Sequence, residues 1–382
     1  MTVPRIRVDG FNMNFEKKIF GEIVRSESTR MYIKSVVSDL GKYEVIQQGD
    51  TPILGYSNDQ PFEKYKSVIL FGDHTLSLYR PKAPFLLATD GIKILQSTIL
   101  KRDYLYYLTQ NYIPKSQGYK RHFSVLKQVF VNYSQDSSEQ TAISSLFSTL
   151  DELLASYKDN LANYQSFKET ILSKMFPKAG QIVPEIRLDG FEGEWKKAKL
   201  KDVAHRVQGN DGRMDLPTLT ISASGGWMNQ IDRFSANIAG KEQKNYTLLK
   251  KGELSYNHGN SKLAKYGVVF ELKEYEEALV PKVYHSFRVN QLADAKFIEI
   301  MFSTKIPDRE LGKLVSSGAR MDGLLNISFD DFMNIAIIIP TIEEQQAIGA
   351  YFSNLDNLIA AYQEKISQLE TLKKKLLQDM FI

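Results

Sequence analysis

Two segments of this sequence carry the same unbroken hydrophobic heptad, and they constrain the fold more than any other feature. Residues 139–176 and 344–381 align without a gap at an offset of 205 positions, and 15 of 38 positions are identical. In both segments the apolar positions recur at alternating steps of three and four, the period of a helix that keeps one face against a second helix. The seam positions are Phe147, Leu150, Leu154, Tyr157, Leu161, Tyr164, Lys168, Ile171 and Met175, then Phe352, Leu355, Ile359, Tyr362, Ile366, Leu369, Lys373, Leu376 and Met380. The pattern therefore predicts two long helices that pair.

The direction of this pairing is left open by the heptad itself. Roughly 33 residues at 1.5 Å each give about 50 Å of helix. An antiparallel pair would relate the two halves by an approximate two-fold axis and form a spacer between two globular blocks, whereas a parallel pair would put both blocks at one end. Lys168 and Lys373 occupy equivalent seam positions. Each lysine either fixes the register of the pair or lies in an exposed part of the seam with its ammonium in solvent.

A second repeat stands at the start of each half. Residues 3–11 and 183–191 share seven of nine positions, including an Asp-Gly-Phe sequence in each copy. A repeated contact with two copies of one partner would explain this repeat, and so would a shared structural need for Gly in a tight turn and Phe in the core.

The repeats predict an α+β chain with two globular α/β domains in tandem, each followed by a long helix, and we predict that the helices form an antiparallel coiled coil with pseudo-two-fold symmetry. The predicted boundaries are 1–138 and 181–343 for the globular domains and 139–180 and 344–382 for the helices. Inside the domains, β-prone runs bounded by Gly, Asp or Pro predict short strands. These strands are 66–71, 85–88, 216–222, 254–257 and 267–271, and a helix is predicted over 104–112.

Composition and missing motifs argue against chemistry in this chain. There is no cysteine, so thiolate zinc sites and cysteine nucleophiles are excluded. The sequence contains no Walker loop, no Gly-x-Gly, no adjacent prolines of the kind that an amino-methyltransferase loop uses, and no His-Glu-x-x-His. We therefore predict a protein that is not an enzyme and holds no metal.

Charge and hydropathy place the chain only coarsely. The net charge of +4 is too small to indicate a nucleic-acid partner by itself. The longest apolar run, 335–339, falls far short of the ~18 residues that cross a membrane, and the first residues lack the apolar stretch of a signal peptide. The sequence thus predicts a cytoplasmic protein.

The tandem layout and several motifs resemble the specificity subunit of type I restriction–modification systems. The run Ile337-Ile-Ile-Pro340-Thr-Ile-Glu-Glu344-Gln345 is similar to the family's apolar–Pro–x–x–x–Glu–Gln signature before each helix. Gly72-Asp-His-Thr75 with Asp90-Gly91, and Thr220-Ile-Ser-Ala with Gly252 and Tyr256-Asn257, look like stretches of the family's target-recognition domains. The first half departs from the pattern, because Gln135 stands where the proline is expected.

The resemblance implies a function as well as a fold. Each globular domain would be a target-recognition domain that reads one half of a split site in double-stranded DNA, and the chain would dock two methyltransferase subunits, which restriction and motor subunits can join in defence against phage. S-adenosylmethionine, ATP and Mg would belong to those partners, with no cofactor bound by this chain. The competing interpretation is a non-catalytic scaffold, two modules on a coiled-coil strut that bind partners other than DNA.

The resemblance assigns no base contacts, so the candidate DNA-binding residues are chosen by residue type. Arg and Lys suit phosphates and guanine, Asn suits adenine, and Ser and Tyr suit either. Arg121 and Arg320 each end a loop of like position in the two halves. Each candidate has the alternative of a solvated loop side chain. The candidates are Arg80, Lys82, Tyr119, Lys120, Arg121, Tyr256, Asn257, His258, Ser261, Lys262, Lys265 and Arg320.

Overall fold

The computed structural model describes residues 3–34, 36–118, 121–234, 240–259, 262–315 and 324–381. The chain divides into two compact units: unit 1 is Met1–Asn160 with Tyr362–Ile382, and unit 2 is Leu161–Ala361. Both divisions fall inside long helices, so each unit contains its own part of both helices. None of the helices in the described part of the chain combines the length and hydropathy that a membrane crossing requires.

Unit 1 is built from short strands around a mostly antiparallel sheet. Its four-stranded sheet has the order β2-β8-β5-β6, a second sheet has the order β4-β3-β7 with β3 and β7 parallel, and β1 pairs with β9. The strands are β1 Glu16–Ile19, β2 Arg25–Glu27, β3 Tyr43–Ile46, β4 Ile53–Ser57, β5 Ile69–Gly72, β6 Leu78–Tyr79, β7 Phe85–Leu87, β8 Ile92–Gln96 and β9 Phe130–Tyr133. The helices are α1 Phe20–Ile23, α2 Arg102–Tyr112, α3 Phe123–Leu126 and the start of α4 Ser137–Lys174.

Unit 2 repeats the four-stranded sheet in the same chain order. That sheet is β11-β18-β15-β16, and three two-stranded pairs, β10-β19, β12-β13 and β14-β17, accompany it. The strands are β10 Lys196–Lys199, β11 Ala204–Arg206, β12 Leu219–Ser222, β13 Gly226–Asn229, β14 Thr247–Lys250, β15 Leu254–Asn257, β16 Val268–Glu271, β17 Glu277–Val280, β18 His285–Val289 and β19 Ala336–Ile339. The helices are α5 Leu200–Val203, α6 Gln230–Phe234, α7 Ala295–Ser303, α8 Asp308–Leu314, α9 Phe329–Met333 and α10 Ile342–Met380.

The predicted strands are present, with shifts at their starts. The strand predicted at 254–257 matches β15, and the strand predicted at 66–71 begins only at Ile69, because residues 65–67 form a 3-10 turn. The strand predicted at 216–222 begins at Leu219 as β12. A mixed α+β fold with two long helices is thus confirmed.

The two long helices begin slightly before the predicted segments and keep the predicted seam. α4 has 38 residues and α10 has 39. Every seam position is buried or half-buried, while most positions between them are exposed. The heptad therefore marks the face that each helix turns toward its partner.

Contacts within each unit show that the helices run antiparallel. In unit 1, the rings of Phe147 and Phe381 lie 6.2 Å apart and those of Tyr157 and Tyr362 lie 5.4 Å apart. The residue number on α10 falls as the number on α4 rises, which is the signature of antiparallel packing. In unit 2, Met175 at the end of α4 belongs to the same core as Phe352 near the start of α10. The antiparallel prediction is confirmed and the parallel alternative is excluded.

The two seam lysines are held in ion pairs between the helices. Lys168 pairs with Asp356 in unit 2, and Lys373 pairs with Asp151 in unit 1. Their side chains are 33% and 13% exposed respectively. The lysines therefore take part in the helix contact, which supports a role in register.

Candidate nucleic-acid interface

A buried ion pair fastens the opening repeat of unit 1 to the start of its long helix. The Arg7 guanidinium donates from Nε to Glu139 Oε1 at 2.7 Å and from Nη2 to Glu139 Oε2 at 2.9 Å. Glu139 is completely buried and also accepts a hydrogen bond from the Ser134 hydroxyl at 2.6 Å. A buried carboxylate needs such a partner, because an unpaired charge in the interior is costly.

Unit 2 contains the same ion pair in the equivalent place. The Arg187 guanidinium donates from Nε to Glu344 Oε1 at 2.7 Å and from Nη2 to Glu344 Oε2 at 2.6 Å. Arg7 and Arg187 are matching positions of the nine-residue repeat, and Glu139 and Glu344 open the 38-residue repeat. The two sequence repeats are thus the two sides of one contact.

The glutamine after each buried glutamate joins the helix to the loop before a second helix. In unit 1, Gln140 Oε1 accepts from the backbone N–H of Lys101 at 2.8 Å. Its Nε2 donates to the carbonyl oxygens of Ile99 at 3.1 Å and Ser134 at 2.8 Å. These three contacts are to backbone atoms, so this side chain fixes the path of the chain into α2 and α4.

Gln345 makes the corresponding contacts in unit 2. Its Oε1 accepts from the backbone N–H of Asp294, and its Nε2 donates to the carbonyls of Leu292 and Pro340, all at 3.0 Å. The Glu–Gln signature is therefore a junction between a globular part and its helix. The departure at Gln135 leaves this junction intact, because the first glutamine uses the carbonyl one residue earlier.

The Asp-Gly-Phe motif of the opening repeat forms a turn in both units. Gly10 has φ +90 and Gly190 has φ +87, in the left-handed region that favours glycine. The phenylalanines that follow are half-buried. The turn therefore accounts for the glycine of each copy, while the phenylalanine does not reach the fully buried core.

Four of the predicted DNA contacts have exposed cationic side chains. Lys82, Lys262 and Lys265 are exposed, and so is Arg121, whose guanidinium lies 3.7 Å from the Asp90 carboxylate. The Lys265 ammonium lies 5.3 Å from the centre of the Tyr266 ring. These positions are open to a polyanion, and they stay predictions.

Two further candidates have polar groups that bind other parts of the protein. Arg80 is half-buried, with its guanidinium 3.4 Å from Asp151 of α4. The Asn257 amide donates to the Ile221 carbonyl at 3.2 Å, and its oxygen accepts from the Gly259 N–H at 3.1 Å. A structural role therefore accounts for the present position of each side chain.

Tyr256 and His258 correct the prediction, because the structure leaves them little or no surface for DNA. Tyr256 has no exposed area, its ring stacks on Phe332 at 4.4 Å, and its hydroxyl donates to the Tyr266 carbonyl at 2.7 Å. His258 is 6% exposed and its ring lies 4.7 Å from that of His285. Side chains alternate across a strand, so Tyr256 shares the core-facing side of β15 with Leu254.

The remaining candidates, Tyr119, Lys120, Ser261 and Arg320, lie outside the described residues. The segment beside the first two is anchored by the Gly72–Thr75 motif. Buried Asp73 accepts from the Phe123 N–H at 2.7 Å through its carboxylate. The His122 ring accepts from the Gln117 N–H at 3.1 Å through Nε2, so Nδ1 carries the proton and donates to the Asp73 carbonyl at 3.0 Å. In this structure the motif therefore fixes His122 and Phe123, and the His122 ring in turn contacts Gln117.

A basic helix edge in unit 2 was missed by the choice of residues from loop composition. Lys305, Arg309 and Lys313 are spaced by four and are exposed along α8 and the turn before it. The Tyr266 ring packs over Gly312 of the same helix, so the segment that carries Lys262 and Lys265 lies against α8. Within α8, the i, i+4 spacing of Arg309 and Lys313 was the signal that could have identified this edge, while Lys305 lies in the turn before the helix.

Comparisons with known proteins agree with this architecture. The family described as Type I restriction modification DNA specificity domain matches residues 192–371. The chain is similar in structure to the type I restriction–modification S subunit from M. genitalium, with 15% identity, a TM-score of 0.63, and coverage of 100% of this chain and 99% of that chain. It also aligns with the HsdS subunit from Thermoanaerobacter tengcongensis at 13% identity and a TM-score of 0.45, covering 97% of both chains. No curated protein matches the sequence significantly.

These matches bear on both halves of the chain. The family match lies in the second half and runs into α10, while the likeness to the M. genitalium subunit shows the fold of both units. Residues 192–371 match the model of the type I restriction modification DNA specificity domain, and the whole chain is similar in fold to the M. genitalium S subunit. Both findings agree with the resemblance of the sequence to type I specificity subunits.

Proposed function

We propose that this chain is the DNA-recognition subunit of a type I restriction–modification complex and reads a split site in double-stranded DNA. Each globular part would read one half-site, and the helix pair would determine the length of the unread gap. The observation that carries the proposal is the repeated junction: Arg7–Glu139 and Arg187–Glu344 mount two different globular parts on matched helices in the same way.

The repeat separates what is kept from what varies. The opening motif, the buried Arg–Glu pair and the helix seam recur in both halves, while the loops that carry the candidate cations do not. A protein that recognises two different half-sites needs the same junction between each globular part and its helix, and a different DNA-binding surface on each part. Half-sites read from one side of B-DNA lie about 34–36 Å apart, a distance that helices of this length can span.

The exposed cations give each unit groups that suit DNA. Lys82 and Arg121 in unit 1, and Lys262, Lys265 and Arg309 in unit 2, can neutralise phosphates. Phosphate contacts of this kind position a protein on the duplex, and base-edge contacts from the neighbouring loops add sequence selectivity.

The chemistry would belong to partners. Two methyltransferase subunits would bind S-adenosylmethionine and dock on the outer faces of the helices. Restriction subunits that use ATP and Mg would join through them. The chain would supply recognition and bind no cofactor itself.

Methylome sequencing tests this function directly. A host that expresses the chain with its methyltransferase should gain methylation at one split motif, and the same host with the methyltransferase alone should not. Co-purification should recover the methyltransferase with the chain. No new methylated motif in a host where both proteins are made and co-purify would overturn the proposal.

A further inference from the structure

One aspartate of the first long helix contacts both the second long helix and the globular part of unit 1. The Asp151 carboxylate on α4 pairs with the Lys373 ammonium on α10. It also accepts a hydrogen bond from the Tyr107 hydroxyl of α2 at 2.8 Å, and the Arg80 guanidinium lies 3.4 Å away. Three separate parts of unit 1 therefore meet at a single side chain.

Aromatic rings hold the cations of this junction in place. The Arg80 guanidinium lies 4.3 Å from the centre of the Tyr106 ring and 5.0 Å from that of Tyr107. The Lys373 ammonium, which pairs with Asp151, lies 5.6 Å from the centre of the Tyr107 ring. Burial raises the pKa of the Tyr107 hydroxyl, which keeps it protonated as a donor to Asp151. The junction is a fixed constellation of groups and differs from a solvated surface ion pair.

Unit 2 builds the same kind of junction from different residues. Asp356 lies 205 positions after Asp151 and pairs with Lys168 of the other helix. The Lys296 ammonium of α7 lies 3.7 Å from the Asp356 carboxylate and 2.9 Å from Glu299. The helix partners are repeated and the globular cation is not, since unit 1 uses an arginine of the β6–β7 loop and unit 2 a lysine of a helix.

The placement of these charges also selects the direction of the helix pair. In a parallel pair in register, seam positions would face their equivalents, so that Lys168 would meet Lys373. Like charges at facing positions are unfavourable, whereas the antiparallel pair makes two opposite-charge contacts. The heptad repeat alone does not make this distinction.

We propose that Asp151 and Asp356 are positioning residues that lock each globular part to the helix pair and so fix the gap between the two half-sites. The proposal rests on the proposed function for its reading of DNA. The coupling of each aspartate to a lysine of the other helix does not depend on DNA binding.

Neutral variants of the same shape test the proposal. The variants are Asp151→Asn, Asp356→Asn and their combination, each purified with the methyltransferase. Asp159→Asn is the matched control, because it removes the same charge from an exposed position of the same helix. The probes are synthetic duplexes that carry the motif found by methylome sequencing, with the gap lengthened or shortened by one base pair at a time.

Loss of gap selectivity is the expected result. The combined variant should lose about tenfold in its preference for the native gap over its neighbours, the effect of uncoupling groups in contact. Its half-site sequences should stay the same, and Asp159→Asn should behave as the native chain. Asp151→Glu with Asp356→Glu should recover part of the selectivity by restoring both charges. Unchanged gap selectivity, or an equal loss of affinity at every gap together with a lower Tm, would overturn the positioning role.

A thermal double-mutant cycle separates this proposal from the proposed function. Asp151→Asn, Lys373→Met and the double variant should show coupled changes in Tm, as should the Asp356 and Lys168 set. Additive changes would overturn the junction whatever the protein binds. If the native complex shows no sequence-specific DNA binding while the cycle shows coupling, the proposed function fails and the junction stands.

Discussion

Unit 1 and unit 2 use the same contacts where each joins its long helix and different contacts around the loops that carry the candidate DNA residues. Both have the buried Arg–Glu pair and the four-stranded sheet in one strand order. In unit 1 the segment before α3 is anchored by Asp73 and His122. In unit 2 the buried rings of Tyr256 and His258 pack against half-buried His285. The contacts that repeat therefore lie at the shared mount, the Arg–Glu junction between each globular part and its helix. The contacts that differ lie around the loops that carry the candidate DNA residues.

The strongest test of the shared mount is removal of the buried arginine in each unit. Arg7→Ala and Arg187→Ala should each destabilise by about 3–5 kcal/mol, because each leaves a buried glutamate without its cation. Arg5→Ala is the matched control: its side chain is 76% exposed at 3.6 Å from Asp379, and its loss should cost less than about 1 kcal/mol. Urea unfolding measures all three. The comparison breaks if Arg7→Ala and Arg187→Ala differ widely, or if neither exceeds Arg5→Ala.

The helices and the two repeats could be found in the sequence, because their signals are periodic or repeated. The heptad predicts both helices and their seam, and the buried Arg–Glu pairs join the nine-residue repeat to the 38-residue repeat. Their contact could not be read from the sequence, since Arg7 and Glu139 are 132 positions apart and no local pattern links them. The same holds for Asp151, whose partners come from three other elements.

The candidate site was harder to predict because loop composition does not report burial. Side chains alternate between the two faces of a strand, and this rule applied to 254–257 places Tyr256 with Leu254 in the core. The i, i+4 spacing of Arg309 and Lys313 in α8 could also have been found in the sequence. Which exposed cations gather on one surface depends on contacts such as Tyr266 on Gly312, which only the folded chain shows.

Acid should lower the stability of the two units in different pH ranges, and unit 2 should lose stability first. Burial, with the charges of His258 and Arg206, lowers the pKa of His285 from 6.5 to about 4. The unfolded chain binds this proton more readily than the folded one, so stability is lost as pH falls from about 6.5 to 4, by roughly 3 kcal/mol in total. Urea unfolding across this pH range should show the loss, and His285→Gln should remove it.

Unit 1 responds at lower pH. The hydrogen bond from the Tyr133 hydroxyl, with Lys18 beside it, lowers the pKa of Glu16 from 4.5 to about 2. The stabilisation that this carboxylate gives is present above pH 4.5 and is lost as pH falls towards 2. If His285→Gln loses as much stability between pH 6.5 and 4 as the native protein does, the assignment of the first loss to unit 2 is contradicted.

The smallest expected effect concerns the exposed cations. Arg121→Ala should weaken DNA binding and reduce the slope of log affinity against log salt by about 1, as loss of one phosphate contact does. Arg309→Ala should do the same in unit 2. Lys375→Ala is the control, because it removes the same positive charge from an exposed position of α10. Affinity that is unchanged across a salt series would remove the altered residue from the interface.

The central claim is that a helix pair sets the gap between two half-sites, and changing the helix length tests it most directly. Deletion of a whole heptad from both helices, chosen in matching parts of the two seams, keeps the apolar face in register and shortens each helix by about 10 Å. Methylome sequencing of a host that expresses this variant with the methyltransferase should return the same two half-site sequences with a shorter unread gap. Methylation of the original motif at an unchanged gap would contradict the account.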